Sequence, residues 1–135
     1  MGVDPDPVLT IRSTSPFLMA STMCGRPAET FFTREYRMNY TLHTYPKPLV
    51  CWGHGIVMGG GLGVMAGCSH RIVTEKTRIA MPEVTIALFP DVGGGWYLSR
   101  MPGHIGLWLA LTGAHLRAAD CKLVGVATHF VESAC

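Results

Sequence analysis

Residues 54–63, HGIVMGGGLG, place a short apolar segment directly before three consecutive glycines and a run of small and apolar residues. Leu49–Trp52, just before this stretch, is suited to a buried strand; Ile56–Met58 leads into the glycines, and Leu62–Cys68 follows as a short helix. Without Cβ atoms, the glycines Gly59–Gly61 let the backbone approach a ligand closely. The segment therefore predicts a glycine turn whose following helix points its first N–H groups at whatever lies above it.

Two interpretations of this glycine turn are chemical and one is structural. A carbonyl oxygen that gains negative charge would accept hydrogen bonds from such N–H groups, which makes the turn a candidate oxyanion hole. Gly61–Ala66 also matches the dinucleotide fingerprint G-x-G-x-x-A, but only about ten residues separate Gly61 from the next strand at Arg71, and a complete βαβ unit needs more. Tight packing of strand on helix, without any ligand, is the remaining interpretation.

Strands and helices alternate along the rest of the chain, which predicts an α/β fold. The predicted strands are Val8–Arg12, Leu49–Trp52, Arg71–Thr74, Thr77–Ala80 and Val126–Val131, with Glu75-Lys76 as the turn between the third and fourth. The predicted helices are Ala28–Leu42, Gly94–Met101, Gly103–Leu111 ended by Gly113, and Ala118–Val124 ended by Gly125.

Composition indicates one packed domain and excludes several classes of partner. The chain has 135 residues, of which 48% are hydrophobic and 15% charged, with a formal net charge of +2. Its Lys and Arg residues form no stripe for nucleic acid, and no uncharged stretch reaches the roughly 20 apolar residues of a membrane-spanning helix. The five cysteines form no C-x-x-C pair, so neither a metal site nor a redox dithiol is expected.

Two carboxylates, Glu83 and Asp91, are the only charged side chains between Ile79 and Leu98. Each follows a proline, so both are expected at stiffened bends. A carboxylate in apolar surroundings tends to have a raised pKa and can act as an acid or base near neutral pH. The alternative for Glu83 is a structural ion pair with an arginine such as Arg71 or Arg78, and for Asp91 a helix N-cap before Gly94.

Taken together, residues 28–133 resemble the crotonase (enoyl-CoA hydratase/isomerase) superfamily, and within it the 3-hydroxyisobutyryl-CoA hydrolase branch. The segments that carry the resemblance occur in the family's order: FFTREYRMNY, YPKPLV, HGIVMGGGLG, AMPEVTIALFPDVGGGWYLSR and LALTGAHLRAADCKLVGVATHFVES. The resemblance implies stacked ββα turns and an acyl-CoA thioester substrate of valine breakdown, with coenzyme A as part of that substrate and no cofactor. Such chemistry suits a bacterial cytoplasm or a mitochondrial matrix.

The resemblance also implies roles for four residues. Gly60 would give a backbone N–H to the thioester oxygen, and Glu83 would attack the thioester or activate water. Asp91 would contact the acyl 3-hydroxyl or that water. Glu35 falls where the family places a further substrate contact, although a solvated helix charge is its alternative. Enoyl-CoA hydratases in the family carry a second glutamate where this chain has Gly63, which favours hydrolysis over hydration or isomerisation.

The chain departs from the family pattern at its ends. An A-G-G-D segment that supplies a second oxyanion N–H is not found in residues 1–27, which are expected to be an atypical N-terminal segment with disorder as one interpretation. Residues 28–135 are expected to be the central part of the acyl-CoA-binding domain. Loss of one oxyanion donor typically costs about 100- to 1000-fold in turnover, so we expect this chain by itself to be weakly active or inactive. A related hydratase or isomerase and a non-catalytic acyl-CoA-binding chain are the alternatives. We also expect association with another chain, as a homo-oligomer or through uncovered apolar surface.

Overall fold

A computed structural model of the chain describes residues 8–11 and 26–134, and it confirms the predicted α/β class. The strands are β1 (Val8–Ile11), β2 (Val50–Gly53), β3 (Ile56–Met58), β4 (His70–Val73), β5 (Arg78–Ala80), β6 (Leu116–Arg117) and β7 (His129–Phe130). The helices are α1 (Arg26–His43), α2 (Gly60–Ala66), α3 (Gly94–Leu98), α4 (Ile105–Thr112) and α5 (Ala118–Leu123), with a 3-10 helix at Pro82–Ile86.

The described strands form two small sheets. One has the order β1-β2-β4-β7 with every neighbouring pair parallel, and the other has the order β3-β5-β6, in which β3 and β5 are parallel and β5 and β6 antiparallel. Each pair of consecutive strands, β2 with β3 and β4 with β5, places one strand in each sheet. The chain therefore turns a corner between the sheets twice, as the stacked ββα turns of the predicted superhelix require.

Hydrogen bonds at the corners explain why the strands on either side of Glu75-Lys76 do not pair with each other. The fully buried Thr77 donates its hydroxyl to the carbonyl of Gly53, 2.6 Å away, and accepts the amide of Thr74 at 2.8 Å. The amide of Arg78 donates to the carbonyl of Gly55 at 2.7 Å. These bonds hold the β4–β5 corner against the β2–β3 corner, so β5 pairs with β3 rather than with β4.

Helix α1 lies against the rest of the fold along one stripe. Its less exposed residues recur every three or four positions, as an amphipathic helix requires: Ala28, Phe32, Glu35, Asn39 and Leu42. At the end of this stripe Leu42 packs against Gly67, where a Cβ atom would come within 3.0 Å of the leucine side chain. The stripe therefore runs alongside α2.

The core lies between the sheets and the short helices. Its fully buried members include Val57, Leu62, Met65 and Ile79. Cys51, Cys68 and Cys121 are buried free thiols, as expected of small apolar filler, whereas Cys24 and Cys135 lie outside the described residues. In the ranges 8–11 and 26–134, no helix combines the length and the apolar character needed to cross a membrane.

Two predicted helix ends are confirmed, and several predicted elements are shorter than expected. Gly113 ends α4 and Gly125 follows α5 with positive φ angles of 64° and 79°. The last strand is limited to His129–Phe130, because the residues before it bind outside the sheet ladder: the amide of Ala127 donates to the carbonyl of Cys121 in α5 at 2.9 Å. The 3-10 helix was not expected. Pro82 stands at its start, where the missing amide hydrogen is not needed.

Candidate active site

The glycine turn connects β3 to the start of α2 and leaves a backbone N–H free. Gly59 adopts a positive φ of 51°, and its amide donates to the carbonyl of Ala80 in the neighbouring strand at 3.3 Å. The first hydrogen bond of α2 runs from the amide of Gly63 to the carbonyl of Gly59 at 3.0 Å. The amide of Gly60, in the first turn, has no hydrogen-bond acceptor among the described residues and is half-buried rather than sealed.

Glu83 lies directly beside this turn. The residue belongs to the first turn of the 3-10 helix and is 7% exposed. A Cβ atom on Gly59 would lie 2.8 Å from Oε1 of Glu83, so the glycine allows the carboxylate to reach the turn. Within the described chain, Oε2 of Glu83 is buried and has no hydrogen-bond partner. One carboxylate oxygen is therefore available to a bound molecule.

The alternative ion pairs of Glu83 are wrong. Arg71 donates its three guanidinium nitrogens to the carbonyls of Val126, Cys68 and Gly125. Arg78 donates to backbone carbonyls of the turn before it. Both arginines thus bind backbone carbonyls rather than the carboxylate of Glu83. Burial raises the pKa of the Glu83 carboxyl, and the nearby charge of Asp91 adds to that increase.

Asp91 occupies a tight turn that places its carboxylate at the site. The next two residues, Val92 and Gly93, have positive φ angles of 42° and 85°, and the amide of Gly94 donates to the carbonyl of Asp91 at 2.5 Å. Positive φ is rare for a β-branched residue such as Val92, so this turn stores backbone strain. The side chain does not cap the following helix, because Gly93 occupies the N-cap position and no side-chain cap bond is present.

The carboxylate of Asp91 is instead held by α1. The hydroxyl of Tyr36 donates to Oδ2 of Asp91 at 2.8 Å. This hydrogen bond and burial both raise the pKa of the Tyr36 hydroxyl, so it stays a donor throughout the ordinary pH range. The N-cap alternative for Asp91 is therefore wrong, and Tyr36 is a site residue that sequence patterns did not single out. Its helical spacing indicated only an apolar face.

Glu35 joins the two predicted carboxylates. It lies on the inward stripe of α1, next to Tyr36, and its Oε2 is buried with no hydrogen-bond partner in the described chain. Burial, with the charges of Asp91 and then Glu83, raises its pKa to about 7. The alternative, a solvated helix charge, is wrong because one carboxylate oxygen of Glu35 is buried. Three carboxyl groups from three separate segments therefore lie close enough to influence one another electrostatically.

Gly63 explains why a second glutamate is absent from α2. A Cβ atom at this position would lie 2.7 Å from Cγ2 of Val92 and 2.9 Å from its carbonyl oxygen. Val92 is 3% exposed and fills the place that a longer side chain would need. The dinucleotide interpretation is excluded as well, because Gly61 and Gly63 lie inside a seven-residue helix and Glu83 lies in a 3-10 helix rather than at the end of a strand.

The arrangement has the parts of an acid–base site for an electrophilic carbon. A free N–H at the head of α2 can bind an oxygen, and the open Oε2 of Glu83 can accept a proton. Glu35 can remain protonated near neutral pH and donate a hydrogen bond. In the part of the chain that the structure describes, no group of three or more His, Cys, Asp or Glu side chains could hold a metal ion.

Comparisons with known proteins place this geometry in a family. The family model described as enoyl-CoA hydratase/isomerase matches residues 16–135. The mitochondrial 3-hydroxyisobutyryl-CoA hydrolases of Danio rerio and Homo sapiens are 54% and 49% identical, each over 78% of this chain and 28% of their own length. The chain thus spans about 28% of the length of these curated relatives.

Solved structures agree with the sequence comparison. An enoyl-CoA hydratase from Rhodobacter sphaeroides has a TM-score of 0.77 and 42% identity, covering 88% of this chain and 36% of that one. A carnitinyl-CoA dehydratase from Mycobacterium thermoresistibile has a TM-score of 0.79 and 48% identity, covering 84% of this chain and 34% of that one. With its two sheets, its glycine turn and its buried Glu83, the chain belongs to the enoyl-CoA hydratase/isomerase (crotonase) family.

Proposed function

We propose that this chain carries the catalytic centre of a CoA thioester hydrolase that acts on a short hydroxyacyl thioester of the 3-hydroxyisobutyryl-CoA type. The observation that carries the proposal is the buried, unpartnered Oε2 of Glu83 beside a glycine turn whose following amide is free. The names of relatives at 49–54% identity support the choice of substrate class. Coenzyme A is then a part of the substrate, and the chemistry needs no further cofactor.

In this mechanism the thioester oxygen accepts the N–H of Gly60, which stabilises the negative charge that develops when the carbon is attacked. Glu83 removes a proton from a water molecule, and the water oxygen forms a bond to the thioester carbon. The C–S bond then breaks, and the proton on Glu83 passes to the departing thiolate. The products are the free hydroxy acid and coenzyme A.

The raised pKa of Glu83 suits its role as a base. A carboxylate with an ordinary pKa is a weak base at neutral pH. Burial raises the pKa of Glu83, which makes its carboxylate a stronger base for the attacking water. Asp91, held by Tyr36 at 2.8 Å, is then placed to orient the water or the acyl hydroxyl. Glu35, with a pKa of about 7, can donate a hydrogen bond to the acyl group when protonated.

A thiol-release assay tests this proposal. We expect the purified chain to release free thiol from 3-hydroxyisobutyryl-CoA, and Glu83→Gln to reduce the rate by at least about 100-fold, because loss of general-base catalysis costs about 100- to 10,000-fold. The test compares the rate of the Glu83→Gln variant with that of the unmodified chain, so it applies even if the unmodified chain is slow. Arg37→Gln, an exposed change on the outer side of α1, is the control and should keep the rate.

The assay also distinguishes the second candidate function. The two solved structures at 42–48% identity are titled as a hydratase and a dehydratase, which favours lyase chemistry as the alternative. Such an activity would change the enoyl absorbance of a crotonyl thioester without releasing thiol. Gly63, closed off by Val92, leaves no room for the second carboxylate that hydration of a double bond needs. Thioester binding without either reaction would indicate a non-catalytic acyl-CoA-binding chain.

Location and assembly follow from the same proposal. The relatives from Danio rerio and Homo sapiens are named as mitochondrial proteins, so we propose the matrix for a eukaryotic host and the cytoplasm for a bacterial one. A surface for association with another copy is offered by α4, whose Leu107 and Leu111 are 60% and 66% exposed. Nucleic acid and membranes are not part of the proposal.

A further inference from the structure

Asn39 carries two of the four buried polar side-chain atoms that have no hydrogen-bond partner within the described chain. The other two are Oε2 of Glu35 and Oε2 of Glu83, which belong to the site described above. For Asn39 both the amide oxygen and the amide nitrogen are buried and unpaired. An amide in this state costs free energy, because its hydrogen bonds to water are lost and not replaced.

The position of Asn39 relates it to the carboxyl groups. It lies on the inward stripe of α1, one helical turn after Glu35, and therefore on the same side of the helix. Tyr36, in the preceding turn, reaches Asp91, and Leu42 at the other end of the stripe packs against Gly67, the residue that follows α2. Asn39 is thus held between the carboxyl groups and the packed end of the two helices.

The chemistry of the amide narrows the kind of partner it lacks. A primary amide has a donor on nitrogen and an acceptor on oxygen, and here both are unused. A carboxylate or a carbonyl oxygen would satisfy only the donor. A hydroxyl group both donates and accepts, so it can satisfy either amide atom or both. A leucine of similar size would remove the cost altogether, which makes the retained amide informative.

We infer that Asn39 is a specificity-determining residue whose side-chain amide binds the hydroxyl of the acyl group. This inference rests on the proposed function and deepens it. The thioester oxygen lies at the Gly60 amide, so the acyl group extends away from the glycine turn, into the space between α1 and the Asp91 turn. There the hydroxyl meets the unpaired amide of Asn39, one helical turn after Glu35.

The test is a comparison of two ligands that differ by one hydroxyl group. Titration calorimetry measures the binding of 3-hydroxyisobutyryl-CoA and of isobutyryl-CoA to the chain with Asn39 and to its Asn39→Leu variant. Both proteins also carry Glu83→Gln, so that the thioesters are not hydrolysed during the titration. We expect the chain with Asn39 to bind the hydroxylated ligand about 10- to 100-fold more tightly, because a site that pairs with a hydroxyl rejects the analogue lacking it. Asn39→Leu should reduce that ratio by about 2- to 10-fold, the effect of one lost hydrogen bond, mainly by weakening binding of the hydroxylated ligand.

Tyr40→Leu is the matched control, since it introduces the same residue at the next position, where the side chain is 71% exposed on the outer face of α1. It should keep the ratio. The melting temperature of Asn39→Leu should equal or exceed that of the parent, because an unpaired buried amide has been removed. Asn39→Ala provides a second variant if leucine does not fit.

The outcomes separate the two proposals. Retention of the ligand ratio in both Asn39→Leu and Asn39→Ala would overturn the role of Asn39, as would a ratio near one in the chain that carries Asn39. If neither thioester binds to that chain, the proposed function fails, and the role of Asn39 fails with it. If both thioesters bind equally, only the role of Asn39 is lost.

Discussion

Glu35 shows how the neighbours of a residue, more than its own helix, determine its protonation. On an isolated helix its carboxyl would titrate near 4.5, but burial and the charges of Asp91 and Glu83 raise the pKa to about 7. A carboxyl group whose folded-state pKa is raised holds its proton more tightly in the folded chain than in the unfolded chain. The stability that this provides is complete below pH 4.5 and is lost as the pH rises to about 7.

Glu35→Gln should remove this pH dependence. We expect the melting temperature of the parent chain to fall relative to that of Glu35→Gln as the pH rises from 4.5 to 7, with the difference constant above that range. Thermal unfolding by circular dichroism at several pH values measures the effect. Glu29→Gln, on the exposed side of the first turn of α1, is the control and should follow the parent. Parallel curves for Glu35→Gln and the parent would contradict the raised pKa.

At the residue scale, sequence patterns found the carboxylates and missed the polar groups of α1. Glu83 and Asp91 stood out because each follows a proline in an otherwise uncharged stretch. Tyr36 and Asn39 fit the spacing of an amphipathic helix, which indicates the side of the helix they occupy but not what that side meets. The partner of Tyr36, Asp91, lies 55 residues further along the chain, and helical spacing contains no information about such a contact.

Short helices in this fold pack so closely that some glycines have no substitute. A Cβ atom on Gly106 of α4 would overlap the carbonyl oxygen of Leu98 at the end of α3. Because that oxygen belongs to the backbone, it cannot move without moving the helix. Gly95 of α3 differs, since nothing lies within 4 Å of the Cβ position and its φ angle is not positive.

The two glycines should therefore respond oppositely to alanine. Gly106→Ala should lower the free energy of unfolding by about 1–3 kcal/mol or more through overpacking. Gly95→Ala should raise it by about 0.5–1 kcal/mol, because alanine restricts the unfolded chain more than glycine does. Urea denaturation of both variants measures the changes. Equal effects of the same sign would show that α3 and α4 are not in this close contact.

Element boundaries were predictable where a residue type dictates the backbone. Gly113 and Gly125 mark helix ends because glycine adopts positive φ at little cost. The turn at Val92 could not be predicted, since a β-branched residue rarely adopts positive φ and its strain is held by packing against Gly63. The pairing of strands was also hidden, because the corner bonds of Thr77 join residues 24 positions apart.

At the scale of the whole molecule, α4 carries a cluster of exposed apolar side chains. The helix is apolar on all sides, and Leu107, Trp108 and Leu111 are 60%, 53% and 66% exposed on its outer face. A helix that is apolar all round normally lies inside a larger structure or an interface. This face is therefore expected to drive association of the chain with itself.

Replacing the two leucines by lysine should suppress that association. Leu107→Lys with Leu111→Lys should give a monomer in analytical ultracentrifugation at concentrations where the parent forms larger species. The free energy of unfolding should change by no more than about 0.5 kcal/mol, as is usual for surface positions. Leu123→Lys, at a leucine that is 76% exposed on α5, is the control and should leave the association unchanged. A parent chain that is monomeric throughout would refute this expectation.

The parallel four-stranded sheet has a consequence for how the chain reaches its folded state. Its strand pairs join residues far apart in the chain: Val8 with Val50, Val50 with His70, and Ile72 with His129. Each pairing must close a long loop, and the conformational entropy is lost before any hydrogen bond of the sheet forms to offset it. Refolding should accordingly be slow compared with that of a helical bundle of equal length, and a chain under synthesis cannot complete this sheet until His129 has emerged from the ribosome.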